Sequence, residues 1–283
     1  MTRILDDSIR RMALAAVAVA LGAIALGCTA PSEPDGTDGP PPDGYQLVAA
    51  AIEDLDDTPH RVAMEVSIDG LFPGEPPVTM RTSGSVDPTN QHMLMTIDYG
   101  AMGGIGEMDM ILAGDYVYIR SPEYQREFGT EWVSTLALDD RDDYWAQNPI
   151  QMLPDLTDTQ LSSAGTEIIR GVETTRWQGV IDFSGPADDT VGNESARGTL
   201  ESLERLLGNS GFRFNEMDVS AWLDADGLLR RLTMAWTMDM TELARELTSV
   251  DYEISMEFFD HGQIDAIEAP QEEDVTDITS LLN

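Results

Sequence analysis

Phe214-Asn-Glu-Met-Asp-Val-Ser-Ala-Trp-Leu223, then Asp224-Ala-Asp-Gly227, then Leu228-Leu-Arg-Arg-Leu-Thr-Met-Ala-Trp-Thr-Met-Asp-Met240 reads as a strand, a tight turn and a second strand. Leu232, Met234, Trp236, Met238 and Met240 occupy alternate positions. On a pleated backbone they all point to one side. Tyr252, Ile254, Met256 and Phe258 repeat the alternation against Asp251, Glu253, Ser255 and Glu257. Strands joined by short turns form an antiparallel meander, and this clean alternation gives it one apolar and one wet face. Asp224-x-Asp226-Gly227 begins like a calcium loop, but Leu228 to Leu232 lacks the remaining oxygen ligands, so a turn is the reading.

The same period of two runs through the earlier part of the chain. Val62, Met64, Val66 and Ile68 alternate with Glu65, Ser67 and Asp69, Val78 to Val86 returns before the Asp87-Pro88 turn, and Met93, Met95, Ile97 and Tyr99 form a third set. Met108 to Ala113 and Tyr116 to Arg120 flank Gly114-Asp115 as a hairpin, and Trp132 to Leu136 is one more short strand. Thr166 to Arg170 and Thr174 to Phe183 surround Gly171. Helical spacing appears at Tyr45 to Asp57, where Leu47, Val48, Ala51, Ile52 and Leu55 make a stripe that Thr58-Pro59 stops. It appears again at Asp142 to Leu153 and at Glu194 to Leu207, and Asp155 to Ala164 reads as a further short helix. The acidic tail from Pro270 to Asn283 offers Val275, Ile278, Leu281 and Leu282 for docking.

Near the start, Arg3, Arg10 and Arg11 precede an apolar run from Met12 to Leu26 that gives way at Ala25-Leu26-Gly27-Cys28, which holds the only cysteine. The run is shorter than the roughly 20 residues a spanning helix needs, so it reads as a secretory signal. Cys28 behind it resembles the lipobox of bacterial lipoproteins, in which the thiol is acylated; a lone exposed thiol is otherwise a liability in an oxidising compartment. Pro31 to Gly44, PSEPDGTDGPPPDG, cannot bury a core and reads as a spacer. The expected organisation is a signal over 1–27, a lipidated linker over 28–44 and one domain over 45–283, held at the extracytoplasmic face of the cell membrane.

All 16 basic residues are arginine, against 52 acidic ones, for a net charge of -36. A phosphate backbone is bound by a basic surface, so nucleic acid is excluded as a partner. With no lysine there is neither a P-loop nor a Schiff base, and no Gly-x-Ser-x-Gly elbow is present. His60, His92 and His261 each stand beside a turn or strand start and read as surface residues, which leaves no metal site, cofactor or catalytic residue to name. Asp139, Asp140, Asp142 and Asp143 read as a solvated acidic loop. The unusual feature is apolar: 15 methionines, many on strands, accompany Trp177, Trp222 and Trp236. Methionine is unbranched and deformable, and suits a surface that receives chains of varied shape as well as it fills a core.

The order of lipobox, spacer, helix, strands, helices and strands resembles the LppX/LprG-type lipoproteins of actinobacteria, which share the fold of LolA-type lipoprotein carriers. The stretches that carry the likeness are Gly165 to Trp177, Val219 to Leu232 and Tyr252 to Pro270. The resemblance implies an α+β fold, a strongly curved antiparallel sheet or half-barrel with helices over its concave face, and an apolar cavity between. It implies no enzyme activity; the partners would be an acylated lipid or glycolipid, the membrane through the anchor, and a membrane transporter, with the carrier a monomer. Lining would come from Val62, Met64 and Val66; Met93, Met95 and Ile97; Met108 and Met110; Trp177; Leu200, Leu203 and Leu207; Met234, Trp236 and Met238; and Ile254, Met256 and Phe258. The alternative is a non-catalytic envelope scaffold or regulatory module whose core is filled.

Overall fold

The structure is a computed structural model that describes residues 44–71, 74–100, 106–136, 160–182, 214–239 and 249–281. It begins with helix α1, Gly44–Asp57, whose buried Val48, Ala51, Ile52 and Leu55 recur every three or four residues, the spacing of one helical face. The strands follow as β1 (His60–Asp69), β2 (Val78–Asp87), β3 (His92–Asp98), β4 (Glu107–Ala113), β5 (Tyr116–Arg120) and β6 (Trp132–Leu136), with helix α2 (Pro122–Phe128) between the last two. Then come β7 (Ser162–Ile169), β8 (Val172–Asp182), β9 (Phe214–Asp224), β10 (Leu229–Asp239), β11 (Ser249–Phe259) and β12 (Val275–Asp277). Among the described residues no helix is long and apolar enough to cross a membrane.

All twelve strands lie in one open sheet, in the order β12-β6-β5-β4-β3-β2-β1-β11-β10-β9-β8-β7. Sequential neighbours pair antiparallel, as meanders do, and β1 joins the two halves by pairing with β11 over Arg61↔Phe259 to Asp69↔Asp251. One pairing departs from the antiparallel expectation: β12 lies parallel to β6. The tail docks there, with Ile278 buried and its N–H donating to the Ser134 carbonyl at 2.8 Å.

Register carries one row of inward side chains from β4 to β8. Met108 faces Ile97, Ile97 faces Thr82, Thr82 faces Met64, Met64 faces Met256, Met256 faces Leu232, Leu232 faces Ala221 and Ala221 faces Trp177. Beside this row β2 needs a glycine. A Cβ on Gly84 would strike the Leu94 carbonyl oxygen and lie 2.5 Å from Met95 Sδ.

Two sequence expectations are corrected. Ser162 to Ala164 belong to β7 and not to a helix, because Gly165 does not end an element. It takes φ +105 within the strand, where the register with β8 shifts between Ser163 and Thr166, an arrangement in which glycine carries no Cβ penalty. Helix α2 was not foreseen: it buries nothing and so leaves no apolar stripe. Its ends hold it, with Ser121 Oγ accepting from Tyr124 N at 3.2 Å, Pro122 at the first turn and Gly129 in the left-handed conformation.

Candidate functional site

The apolar face is built by alternation on every central strand, and α1 lies against it over β9 and β10. The start of the helix is pressed onto β8: a methyl group on Gly44 would collide with the Trp177 ring and the Leu161 carbonyl. Val48, Ala51, Ile52 and Leu55 join one continuous cluster with Val62, Met64, Val66, Met93, Met95, Ile97, Met110, Met234, Met238, Ile254, Met256 and Phe258. Met108, Trp177 and Trp236 are half-buried against it. These are the expected lining residues on the described strands, and they share one cluster. Leu200, Leu203 and Leu207 lie outside the described residues, as do the helices expected over 142–153 and 194–207, the acidic loop and Cys28.

The same face includes residues not among the expected lining: Met80 and Thr82 on β2, Met217 and Val219 on β9, and Leu232 on β10. Thr82 is 3% exposed, and its Oγ1 is buried with no hydrogen-bond partner. Trp236 and Tyr252 stack across β10 and β11 with centroids 5.4 Å apart and rings 4° from parallel. Trp222 does not join this set. It sits on the opposite face, one residue out of phase with Ala221 and Leu223, where Nε1 donates to Glu167 Oε2 at 2.9 Å and the Arg176 and Arg231 guanidinium carbons stand 5.1 and 5.4 Å from its ring. Arg231 Nη2 also reaches Glu257 at 2.6 Å and Arg170 Nε reaches it at 2.7 Å. Burial works to raise the Glu257 carboxyl, but these two arginines outweigh it and hold it below the usual range.

The histidines are not surface residues, because each is folded under by a distant segment. His92 is half-buried, its Nδ1 2.9 Å from the Ile267 carbonyl of the C-terminal tail. His60 is 2% exposed; its Nδ1 donates to the Thr58 carbonyl at 2.7 Å, and its ring meets Phe258 edge-on and stacks at 6.2 Å on His261. His261 Nδ1 lies 3.2 Å from Arg230 Nη1 and can only accept there, since arginine has no lone pair to offer. Burial pushes the His60 imidazole down to about 4, with the Thr58 bond opposing and His261 assisting. Burial and then Arg230 lower His261. Arg230 is itself paired at 2.6 Å with Asp224, whose other oxygen accepts from Asp226 N and Leu228 N, so the Asp224 carboxylate serves the β9–β10 turn.

The far end of α1 is electrostatically awkward. Glu53, Asp54, Asp56 and Asp57 crowd its last turns with no basic residue in the last one, although the partial charge at a helix C-terminus is negative. Asp56 Oδ1 is buried without a hydrogen-bond partner, and burial, then Asp57, then Glu53 raise its carboxyl from 3.8 to about 7. A raised carboxyl stabilises the fold while protonated, so its contribution is complete below pH 3.8 and lost as pH rises to about 7. Replacing Asp56 with Asn is therefore expected to raise the melting temperature at pH 8 and to leave it unchanged near pH 4. Equal shifts at both pH values in thermal unfolding would contradict this account.

Chemically, the face offers hydrocarbon, thioether sulfur and aromatic rings. Among the described residues no group of three or more His, Cys, Asp or Glu is placed to hold a metal ion. No family model matches the chain, and no curated protein matches it in sequence. It is similar to a LolA superfamily protein from Nitrosomonas europaea, at 10% identity over 79% of this chain and 94% of that chain, with a TM-score of 0.28. It is also similar to the lipoprotein LprF from Mycobacterium bovis, at 11% identity over 80% of this chain and 96% of that chain, TM-score 0.46. It is similar as well to lipoprotein LppX of Mycobacterium tuberculosis, at 14% identity over 79% of this chain and 97% of that chain, TM-score 0.46.

Proposed function

We propose that the chain is a membrane-anchored, extracytoplasmic lipoprotein that shelters the acyl chains of a lipid or glycolipid on its apolar face and carries them across or within the cell envelope. No bond is made or broken. The observation that carries this reading is the width of the face. Strands lie about 4.8 Å apart, so the row from Met108 on β4 to Trp177 on β8 spans about 34 Å. A helix with its side chains is about 10–12 Å across. Helix α1 packs over β9 and β10, with its start against Trp177 on β8. Further along, the row carries Met108, Ile97 and Met64, and methionine reshapes around a guest at little cost.

A large apolar surface is what the task demands. Lifting one 16-carbon chain out of a bilayer forfeits roughly 12 kcal/mol at about 0.8 kcal/mol per methylene. In this reading acylated Cys28 tethers a monomer through the Pro31 to Gly44 spacer, and a membrane transporter supplies or receives the lipid. The test is organic extraction of the full chain purified from its native membranes, followed by mass spectrometry. Acylated lipid in stoichiometric amount is the expected result. An extract without lipid, together with a labelled lipid that fails to co-elute, overturns the proposal; a co-purifying protein in its place supports the filled scaffold.

A further inference from the structure

Thr82 breaks the chemistry of the surface it occupies. Its register neighbours are Met64 on β1 and Ile97 on β3, and Met80 and Gly84 flank it on the same side of β2. Three other threonine hydroxyls of the sheet have partners: Thr96 donates to Asp109, Thr174 to the Glu167 carbonyl and Thr237 to Asp251. Thr82 Oγ1 is buried and has none. An unmade hydrogen bond in an apolar setting is costly, and valine would fill the same space without it. Water is a poor remedy, because a buried water needs two to four polar partners and Met64, Met80 and Ile97 supply none of strength.

We propose that the Thr82 hydroxyl donates to a carbonyl oxygen borne along an otherwise apolar ligand, so that the face selects ester- or keto-bearing chains over plain hydrocarbon. This rests on the lipid-carrier reading above and names the chemistry of its cargo. A carbonyl fits better than a ligand hydroxyl by proton count. Two hydroxyls facing each other hold two hydrogens and can use only one between them, whereas a carbonyl accepts the single Thr82 hydrogen and leaves no donor unmet. Met64 is its register partner, Met80 lies two residues along the same face and the Met95 sulfur reaches the neighbouring Gly84, side chains that can swing aside to admit a chain.

The test uses the full-length protein, delipidated, with two probes: a long dialkyl ester with its carbonyl near the middle, and the alkane of equal length. Affinities come from displacement of a bound apolar dye. Wild type is expected to prefer the ester by about five- to tenfold, the worth of one neutral hydrogen bond. Thr82→Val should lose that preference and keep its alkane affinity, while Thr82→Ser, which retains a hydroxyl, keeps the preference. An isotope-labelled ester carbonyl should show a lowered infrared stretching frequency in wild type and not in Thr82→Val. Equal ester affinity in wild type and Thr82→Val, no ester preference in wild type, or an unshifted carbonyl band would overturn the donor role and leave the carrier reading standing. Failure of wild type to bind either probe would overturn both.

Discussion

Replacing Ile52 and Leu55 together with alanine is expected to remove most of the stability of the domain. Both side chains are 2% exposed and lie on the buried stripe of α1, packed into the same cluster as Met234 and Met256. A buried Leu or Ile cut to alanine costs about 2–5 kcal/mol, because the cavity left behind collapses only in part. Two such losses in one turn compare with a total of about 5–15 kcal/mol for a typical domain. Charge does not help helix α1: no acidic residue stands in its first turn, no basic residue in its last, and four carboxylates crowd its C-terminal end. Urea unfolding followed by tryptophan fluorescence will report the change, since Trp177 abuts the start of the helix. The control is Asp54→Ala on the exposed side, where the change stays within about 0.5 kcal/mol. If the double alanine variant unfolds at the wild-type midpoint, α1 is not seated as described.

Acid is expected to weaken the fold through His60, and His60→Gln to blunt that sensitivity. The imidazole sits at about 4 in the fold against 6.5 when exposed, so the folded protein binds fewer protons in that interval than the unfolded chain. Its contribution is complete above pH 6.5 and lost as pH falls to about 4; a displacement of this size corresponds to about 3 kcal/mol. His261 is shifted in the same direction and adds to the loss, while Asp56 works against it. The difference between wild type and His60→Gln isolates the imidazole from the many carboxylates that titrate in the same range. Glutamine cannot charge and still offers an N–H to the Thr58 carbonyl. The gap between the two proteins should open between pH 6.5 and 4, and a constant gap across that range would count against a buried neutral His60.

The location of the cluster gives this sensitivity a consequence. Gly262 N donates to the Pro59 carbonyl at 2.6 Å, Arg61 pairs with Asp260 at 3.7 Å, and His60 stacks on His261. The exit of α1 and the end of β11 are thus held together at the point where protonation of His60 and of Asp56 has opposite effects on stability. Protonating His60 strains the junction, whereas protonating Asp56 relieves the crowded helix end.

Local pattern alone was enough for most of the strands and for the side on which their methionines fall. Met64, Met95, Met234 and Met256 alternate with polar neighbours because an antiparallel strand with one buried face has no other economical arrangement, and the stripe of α1 follows from 3.6 residues per turn in the same way. Tertiary structure alone decided what depends on distant segments meeting. That β1 pairs with β11, that Val275–Asp277 lies parallel to β6, and that His60 is enclosed by Phe258 and His261 rest on contacts between residues far apart in the chain, which no period encodes. Trp222 was out of phase with Met217, Val219, Ala221 and Leu223 in the sequence already, whereas Thr82 reads there as one more strand threonine. Its want of a partner exists only once β1 and β3 close on either side and shut out both water and other polar groups.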